Sequence, residues 1–313
     1  MRNPWPWIAV ATAGFAGGTI LGKLTLDAGM DPLTLTGIRL IIAAVGLGAV
    51  LAVGGRLVTN HDWRRGSILG VVNMALPPLF LTLALASLTA SLSGLVVALI
   101  PGVSVVAAHF LVPGERFRAW RIPGLVVAVV GVTILLGGAT DVDSGSMAAA
   151  IGWSALGVTA AGTGGALSRR FALEVPTKRL VVPQFVTAAI TASVVCTVLG
   201  AWSTLSDSTP TALWWAAATG IFGTIVPFVS FLEAVERAET ARASLIGYLV
   251  PMVSAVGAVV FLGDPVSSSL VVGGSVVLVG VLLADRGRIL VDRIRPPQSF
   301  PDPQAVSVPS APE

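Results

Sequence analysis

The sequence predicts an all-α polytopic membrane protein, ten transmembrane helices arranged as two inverted five-helix repeats. Three observations lead there. Hydrophobic residues make up 54% of the chain and charged residues 11%, with a mean hydropathy of +0.88, against about 25% charged in an ordinary soluble domain. The pattern also repeats after about half the length. Pro77 and Pro227 lie 150 residues apart, as do Pro101 and Pro251, Gly70 and Gly220, and Ser104 and Ser254. After a slip of one residue, Gly114, Gly124 and Gly131 match Gly263, Gly273 and Gly280 at an offset of 149. Finally, each half holds an odd number of apolar stretches, so the second half must enter the membrane in the opposite direction. Duplication of this kind points to transport about a central site.

The apolar stretches fall at 6–26, 33–53, 67–87, 91–112, 121–139, 147–167, 181–202, 211–232, 241–262 and 268–284. Each approaches the ~20 residues that cross ~30 Å of hydrocarbon as a helix. Lipid cannot satisfy backbone N–H and C=O groups, so open strands are excluded there. The repeats divide the chain at 1–140 and 141–285, and a Pro-rich tail at 286–313 reads as cytoplasmic and disordered. The first stretch carries Gly14, Gly18 and Gly22 at a spacing of four, and the sixth carries Gly157, Ala161 and Gly165. Small residues at this spacing let another helix approach closely.

Charge placement orients the chain. With the N-terminus inside, every Lys and Arg except Lys23 and Arg39 falls in a segment assigned to the cytoplasm. The outer loops instead carry Asp27, Asp31, Asp141, Asp143, Asp207 and Asp264. Both termini are therefore expected inside, in a multi-pass protein of the cell (inner or plasma) membrane. The basic balance belongs to a membrane face, so nucleic acid is not expected as a partner. The expected partners are the lipid bilayer and a small-molecule substrate; a homodimer remains open. Cys196 is the only cysteine, which leaves no disulfide and no thiolate metal site, and no cofactor or metal is expected.

Within the spans few residues can carry chemistry. Lys23 and Arg39 are the only cations there, and intramembrane charges usually face a cavity. Either could meet an anionic substrate group; either could also snorkel, and Lys23 could pair with Asp27. His109 could titrate in a proton-coupled cycle or sit as a plain water-facing histidine. Asn73, Gln184, Trp153 and Tyr248 could orient a ligand, with Tyr248, three residues before Pro251, expected at the central cavity. Pro77, Pro101, Pro227 and Pro251 lie inside spans, where each removes a backbone hydrogen bond. They read as hinges or as static kinks. Glu115 and Asp264, just before the fifth and tenth stretches, read as caps of those helices.

Two segments, Ala84–Leu136 and Ala234–Ala284, resemble the EamA-type repeat of the drug/metabolite transporter superfamily. The resemblance rests on an Ala/Ser-rich start, a proline near mid-span (Pro101, Pro251), and a run of small residues. That run ends in Gly114-Glu115 or Gly263-Asp264, and a closing Gly-Val follows at Gly131 and Gly280. Pro113 and Asp264 depart from the usual pattern. The resemblance implies a secondary transporter, commonly an exporter of amino acids or related metabolites, and not an enzyme. Sugar-phosphate or nucleotide-sugar carriage is the first alternative, but such substrates call for several cavity cations. Multidrug export also suits an apolar cavity. From another class, a non-transporting sensor or scaffold would need an output module that the short loops do not supply. An intramembrane enzyme would need a nucleophile with its base, a metal cluster or a carboxylate pair within the spans, and the sequence carries none.

Overall fold

A computed structural model describes residues 3–54, 61–117, 119–137, 144–237 and 245–294. Helices occupy each of the apolar stretches, and no strand occurs among the described residues. We number them α1 (Trp5–Asp27), α2 (Pro32–Val53), α3 (Trp63–Ser87), α4 (Ala90–Leu111) and α5 (Ala119–Gly137). Then follow α6 (Ser144–Ala172), α7 (Lys178–Val198), α8 (Pro210–Gly220, continued through Ile221–Ile225 and Val226–Arg237), α9 (Leu245–Leu262) and α10 (Ser268–Ile294).

Eight of these, all but α6 and α10, are long and apolar enough to cross a membrane. The expectation of ten transmembrane helices is thus met in part. α6 is diluted by Gly, Ala, Ser and Thr, and in α10 only Ser268–Ala284 is apolar. Beyond Ala284 the helix continues to Ile294 instead of ending where the tail was expected to begin at 286. Residues 285–294 contain good helix formers, and the first helix breakers after them are Pro296 and Pro297. The remainder of the tail, 295–313, lies outside the described residues, as do Asp141, Asp143 and Arg242.

Local chemistry sets the helix ends. The Asp31 carboxylate accepts from the N–H of Leu33 (2.9 Å) and Thr34 (3.0 Å), with Pro32 pre-shaping the first turn of α2. Thr89, Thr209 and Ser267 cap α4, α8 and α10 in the same way. Asp264 does not cap α10. Its Oδ2 accepts from the N–H (2.8 Å) and hydroxyl (2.7 Å) of Ser91, so it caps α4 from the far half of the chain. Glu115 faces Arg169 of α6 at 3.7 Å. Ser267 already fills the cap of α10, which frees Asp264 for the neighbouring helix start. Gly114 and Gly263, which follow α4 and α9, both have positive φ (82° and 71°), a conformation that costs a side-chain-bearing residue ~1–2 kcal/mol.

The two halves interleave. α1 packs on α8 and α9, while α6 packs on α3 and α4; α2 lies on α7, and α5 on α10. Glycines make the closest of these approaches. A Cβ on Gly223 of α8 would lie 2.7 Å from the Cα of Gly18, and one on Gly164 of α6 would lie 2.6 Å from the Cα of Asn73 in α3. On α5 and α10, Gly131 abuts Val277 and Gly273, and Gly273 abuts Leu135 and Gly131. The small-residue stripe of α1 thus serves packing: Gly14 meets Pro227, and Gly18 meets Gly223.

Both α3 and α8 widen to a π-helical turn ahead of a proline, at Gly70–Ala75 before Pro77 and at Ile221–Ile225 before Pro227. Proline offers no N–H to the turn below it. The chain answers by stepping one residue further back: the N–H of Leu76 donates to Val71 O, and that of Val226 to Ile221 O. Such turns leave carbonyls without intrahelical partners and recur at functional sites.

Candidate functional site

A cavity of about 580 Å³ runs through the middle of the helix bundle, within the ~300–1,000 Å³ usual for small-molecule sites. All helices except α5 and α10 contribute to its wall. Arg39 is the only charged side chain among the described residues that line it. It stands about two turns into α2, placed there by the Asp31–Pro32 cap that starts the helix. Its Nε is buried with no hydrogen-bond partner, and it makes no salt bridge among the described residues. A guanidinium in this position presents unused donors to whatever occupies the cavity.

Ser93 of α4 and Ser254 of α9 also line the cavity, each with a buried hydroxyl lacking a hydrogen-bond partner. Buried polar groups are nearly always satisfied, so three orphans around one cavity mark a place where a ligand or water completes the bonding. Asn73 faces the cavity from the π turn of α3, and Thr224 from that of α8. Thr19, Thr82 and Ser154 add further hydroxyls, and the rest of the wall is apolar. Met74, Leu81, Leu85 and Val97 lie on the first half, while Phe185, Phe228, Phe231 and Val250 lie on the second.

The structure brings together Arg39, Asn73, Pro77 and Pro101 among the residues singled out by sequence, and scatters the others. Lys23 lies off the cavity and pairs with Asp27 at 3.4 Å, one turn along α1. Trp153 stacks on Phe80 with ring centroids 5.8 Å apart; the adjacent Ser154 lines the cavity in its place. His109 is exposed at the end of α4, where its Nδ1 accepts from the N–H of Phe117 at 3.1 Å. Pro227 is buried against Gly14, and Pro251 is buried inside α9.

Tyr248 does not reach the central cavity. It lines a separate void of about 40 Å³ with Pro101, Arg121, Gly124 and Gly280. The cavity-facing positions of α9 are Ile246, Gly247, Val250 and Ser254, and one residue of rotation beyond Gly247, about 100°, turns Tyr248 away. Among residues that sequence reasoning passed over, Ser93 and Ser254 are unremarkable serines in apolar runs. Ser254 had one signal, its repeat partner Ser104. Pro183, inside α7, was passed over as well; it packs against Gly66 and lies away from the cavity.

On one face of the bundle, Asp62 caps α3 by accepting from the Arg65 N–H at 3.0 Å and pairs with its guanidinium at 2.7 Å. The Arg65 N–H and guanidinium hold the Asp62 carboxyl below its usual range. Arg65 also pairs with Glu174, and Arg237 with Glu233. Among the described residues no group of three or more His, Cys, Asp or Glu is placed to hold a metal ion.

The family model of the EamA-like transporter family matches the chain twice, at residues 5–137 and 148–284. The chain belongs to that family. It is a multi-pass membrane protein, and the two matches fall on the two halves marked out by the proline and glycine spacing. An uncharacterized transporter from Archaeoglobus fulgidus is 22% identical to this EamA-like protein over 267 residues, covering 83% of this chain and 90% of the relative. A solved crystal structure of a protein superposes with a TM-score of 0.62 over 92% of this chain and 99% of its own, at 20% identity. Likeness at that level of identity carries the fold alone.

Proposed function

We propose that this EamA-like protein is a secondary transporter, an exporter of small metabolites that bear a carboxylate. The carrying observation is Arg39: a guanidinium with unused donors, the one charge among the described residues lining a mostly apolar cavity. A charge held in that setting is costly unless it meets an anion or water. Sugar phosphates and nucleotide sugars carry two or more negative charges and would want more than one lining cation. Lipophilic cations would be repelled by the one that is there.

The mechanism we assign is alternating access in a ten-helix bundle of two inverted five-helix repeats, with both termini in the cytoplasm of the cell membrane. Its support is the pairing of contacts. Gly18 of α1 meets the π turn of α8, and Gly164 of α6 meets the π turn of α3; Gly124 meets Gly280, and Gly131 meets Gly273. Such exchange of partners is what a pseudo-two-fold axis produces. Because α1 sits with α8 and α9, and α6 with α3 and α4, the groups that move are mixed from both halves. A single cysteine at 207 should label from outside and one at 178 only from inside; the reverse would overturn the orientation.

Flux in proteoliposomes containing the purified protein tests the function, with radiolabelled carboxylate solutes assayed by counterflow. Arg39→Gln should weaken transport about tenfold or more while expression holds, in line with ~1.5–3 kcal/mol for a charge-assisted bond. Arg39→Lys should retain part of the activity, since the charge stays and the bidentate fork is lost. Unchanged apparent affinity in Arg39→Gln would reduce Arg39 to a snorkelling anchor.

A further inference from the structure

Charge bookkeeping in the cavity narrows the substrate further. The wall holds one cation and, among the described residues, no carboxylate. Glu233, an acid buried on a cavity-lining helix, is committed to Arg237 and lies outside the lining. Asp27 is likewise taken by Lys23, and Asp264 by Ser91. A zwitterion would place its carboxylate on Arg39 and its ammonium a few ångströms away. There the ammonium would meet no carboxylate among the described lining residues and would leave the filled cavity with a net positive charge, in a medium where Coulomb terms are large. A net monoanion leaves the filled cavity neutral.

The layout of the wall agrees. The turns at 28–34 and 201–209 lie together, since Thr34 donates to Ala201 O at 2.8 Å and Thr209 to Ala28 O at 3.4 Å. α2 and α8 therefore start at the same face. From that face Arg39 lies about 10 Å in, and Phe231 near the far end of α8 about 30 Å in, at 1.5 Å per residue. One end of the cavity is cationic and the other aromatic, and the Ser93 hydroxyl lines the same cavity from α4. Resting on the transporter reading above, we propose that the site selects an amphipathic monoanion, a monocarboxylate with an apolar body. Zwitterionic amino acids and cations of the same shape are selected against.

The test is a matched series on one skeleton: 3-phenylpropionate (monoanion), phenylalanine (zwitterion) and 2-phenylethylamine (cation). Binding to the purified full chain is measured by thermal shift and equilibrium dialysis at pH 7, and flux by counterflow in proteoliposomes. The expected order is phenylpropionate at least tenfold tighter than phenylalanine, with no binding of phenylethylamine. Arg39→Gln should level the first two, and Ser93→Ala should weaken phenylpropionate severalfold without changing the order. Phenylalanine binding as tightly as phenylpropionate, preferential binding of the amine, or binding of none of the three would overturn the proposal. Amino-acid flux without phenylpropionate binding would sink the monoanion and keep the transporter. Phenylpropionate binding with no flux of any solute would do the opposite.

Discussion

The π turns of α3 and α8 are the same backbone device carrying different side chains. Each precedes a proline, each carries its hydrogen bonding one residue further back, and each is pressed by a glycine from the other half of the chain. In α3 the turn presents Asn73 and Met74 to the cavity; at the matching positions of α8 it presents Gly223 and Thr224. The backbone, kept alike on both sides, serves packing and bending. The side chains diverge: an amide and a thioether on one wall answer a bare glycine and a hydroxyl on the other, while Arg39 and the aromatic Phe231 lie at different depths along the cavity. Duplication supplied two equivalent walls, and chemistry put the single lining cation on one of them while leaving an orphan hydroxyl on each, Ser93 and Ser254.

The sharpest way to break this comparison is at the shared part. Gly223→Val and Gly164→Val each drive a side chain into backbone, against Gly18 and Asn73 respectively. Overpacking of this kind costs ~1–3 kcal/mol or more, and neither partner backbone can step aside. Both variants should lose most of their folded yield, read by size-exclusion of the fluorescently tagged protein. A monodisperse Gly223→Val protein with normal yield would mean that the α1–α8 contact is not tight.

A smaller effect is expected where the turns differ. Asn73→Gly converts the α3 turn to the composition of its counterpart. It should fold, lose ~1 kcal/mol from a glycine in a helix, and reduce transport severalfold by removing a polar group from the cavity. The mirror change, Gly223→Asn, should fail at folding for the reason given above. If Asn73→Gly transports as well as the parent, recognition rests on Arg39 and the serines, and the asymmetry of the turns is incidental.

Much of this arrangement was legible in the sequence, for identifiable reasons. Helix positions follow from hydropathy because lipid leaves the backbone no other choice. Arg39 stood out because an unpaired guanidinium within an apolar run is rare. What escaped depends on register and partners. Tyr248 and Gly247 differ by one position, and no pattern in α9 says which faces the cavity. Asp264 looked like the cap of the helix that follows it, but it caps α4, a choice made by tertiary contact with Ser91. The π turns left a trace, a proline repeated at 150 residues, whose meaning appears only once the hydrogen bonds are drawn. The interleaving of the halves is a matter of packing, and hydropathy is silent on it.

The starts of the same two helices differ in a further way, with the smallest expected consequence. α3 begins on a charged cap, Asp62 with Arg65, which reaches on to Glu174; α8 begins on the neutral pair Thr209 and Pro210. The charged cap makes one helix start sensitive to acid and leaves the other indifferent. The Asp62 carboxyl is held below its unfolded value, so its contribution to stability is fully present above about pH 4. As pH falls through the lower folded value, the proton returns and the contribution is lost. The cap is at the surface and screened, so the effect on melting temperature should be small and should shrink with added salt. Asp62→Asn should lower the midpoint slightly at pH 7, and the difference from the parent should vanish once the pH has fallen through the lowered folded value. Thr209→Val, which removes the counterpart cap, should lower it by an amount that does not vary with pH. A pH-independent loss in Asp62→Asn would show that the carboxylate acts there as Thr209 does, through its hydrogen bond alone, and that the two helix starts are alike after all.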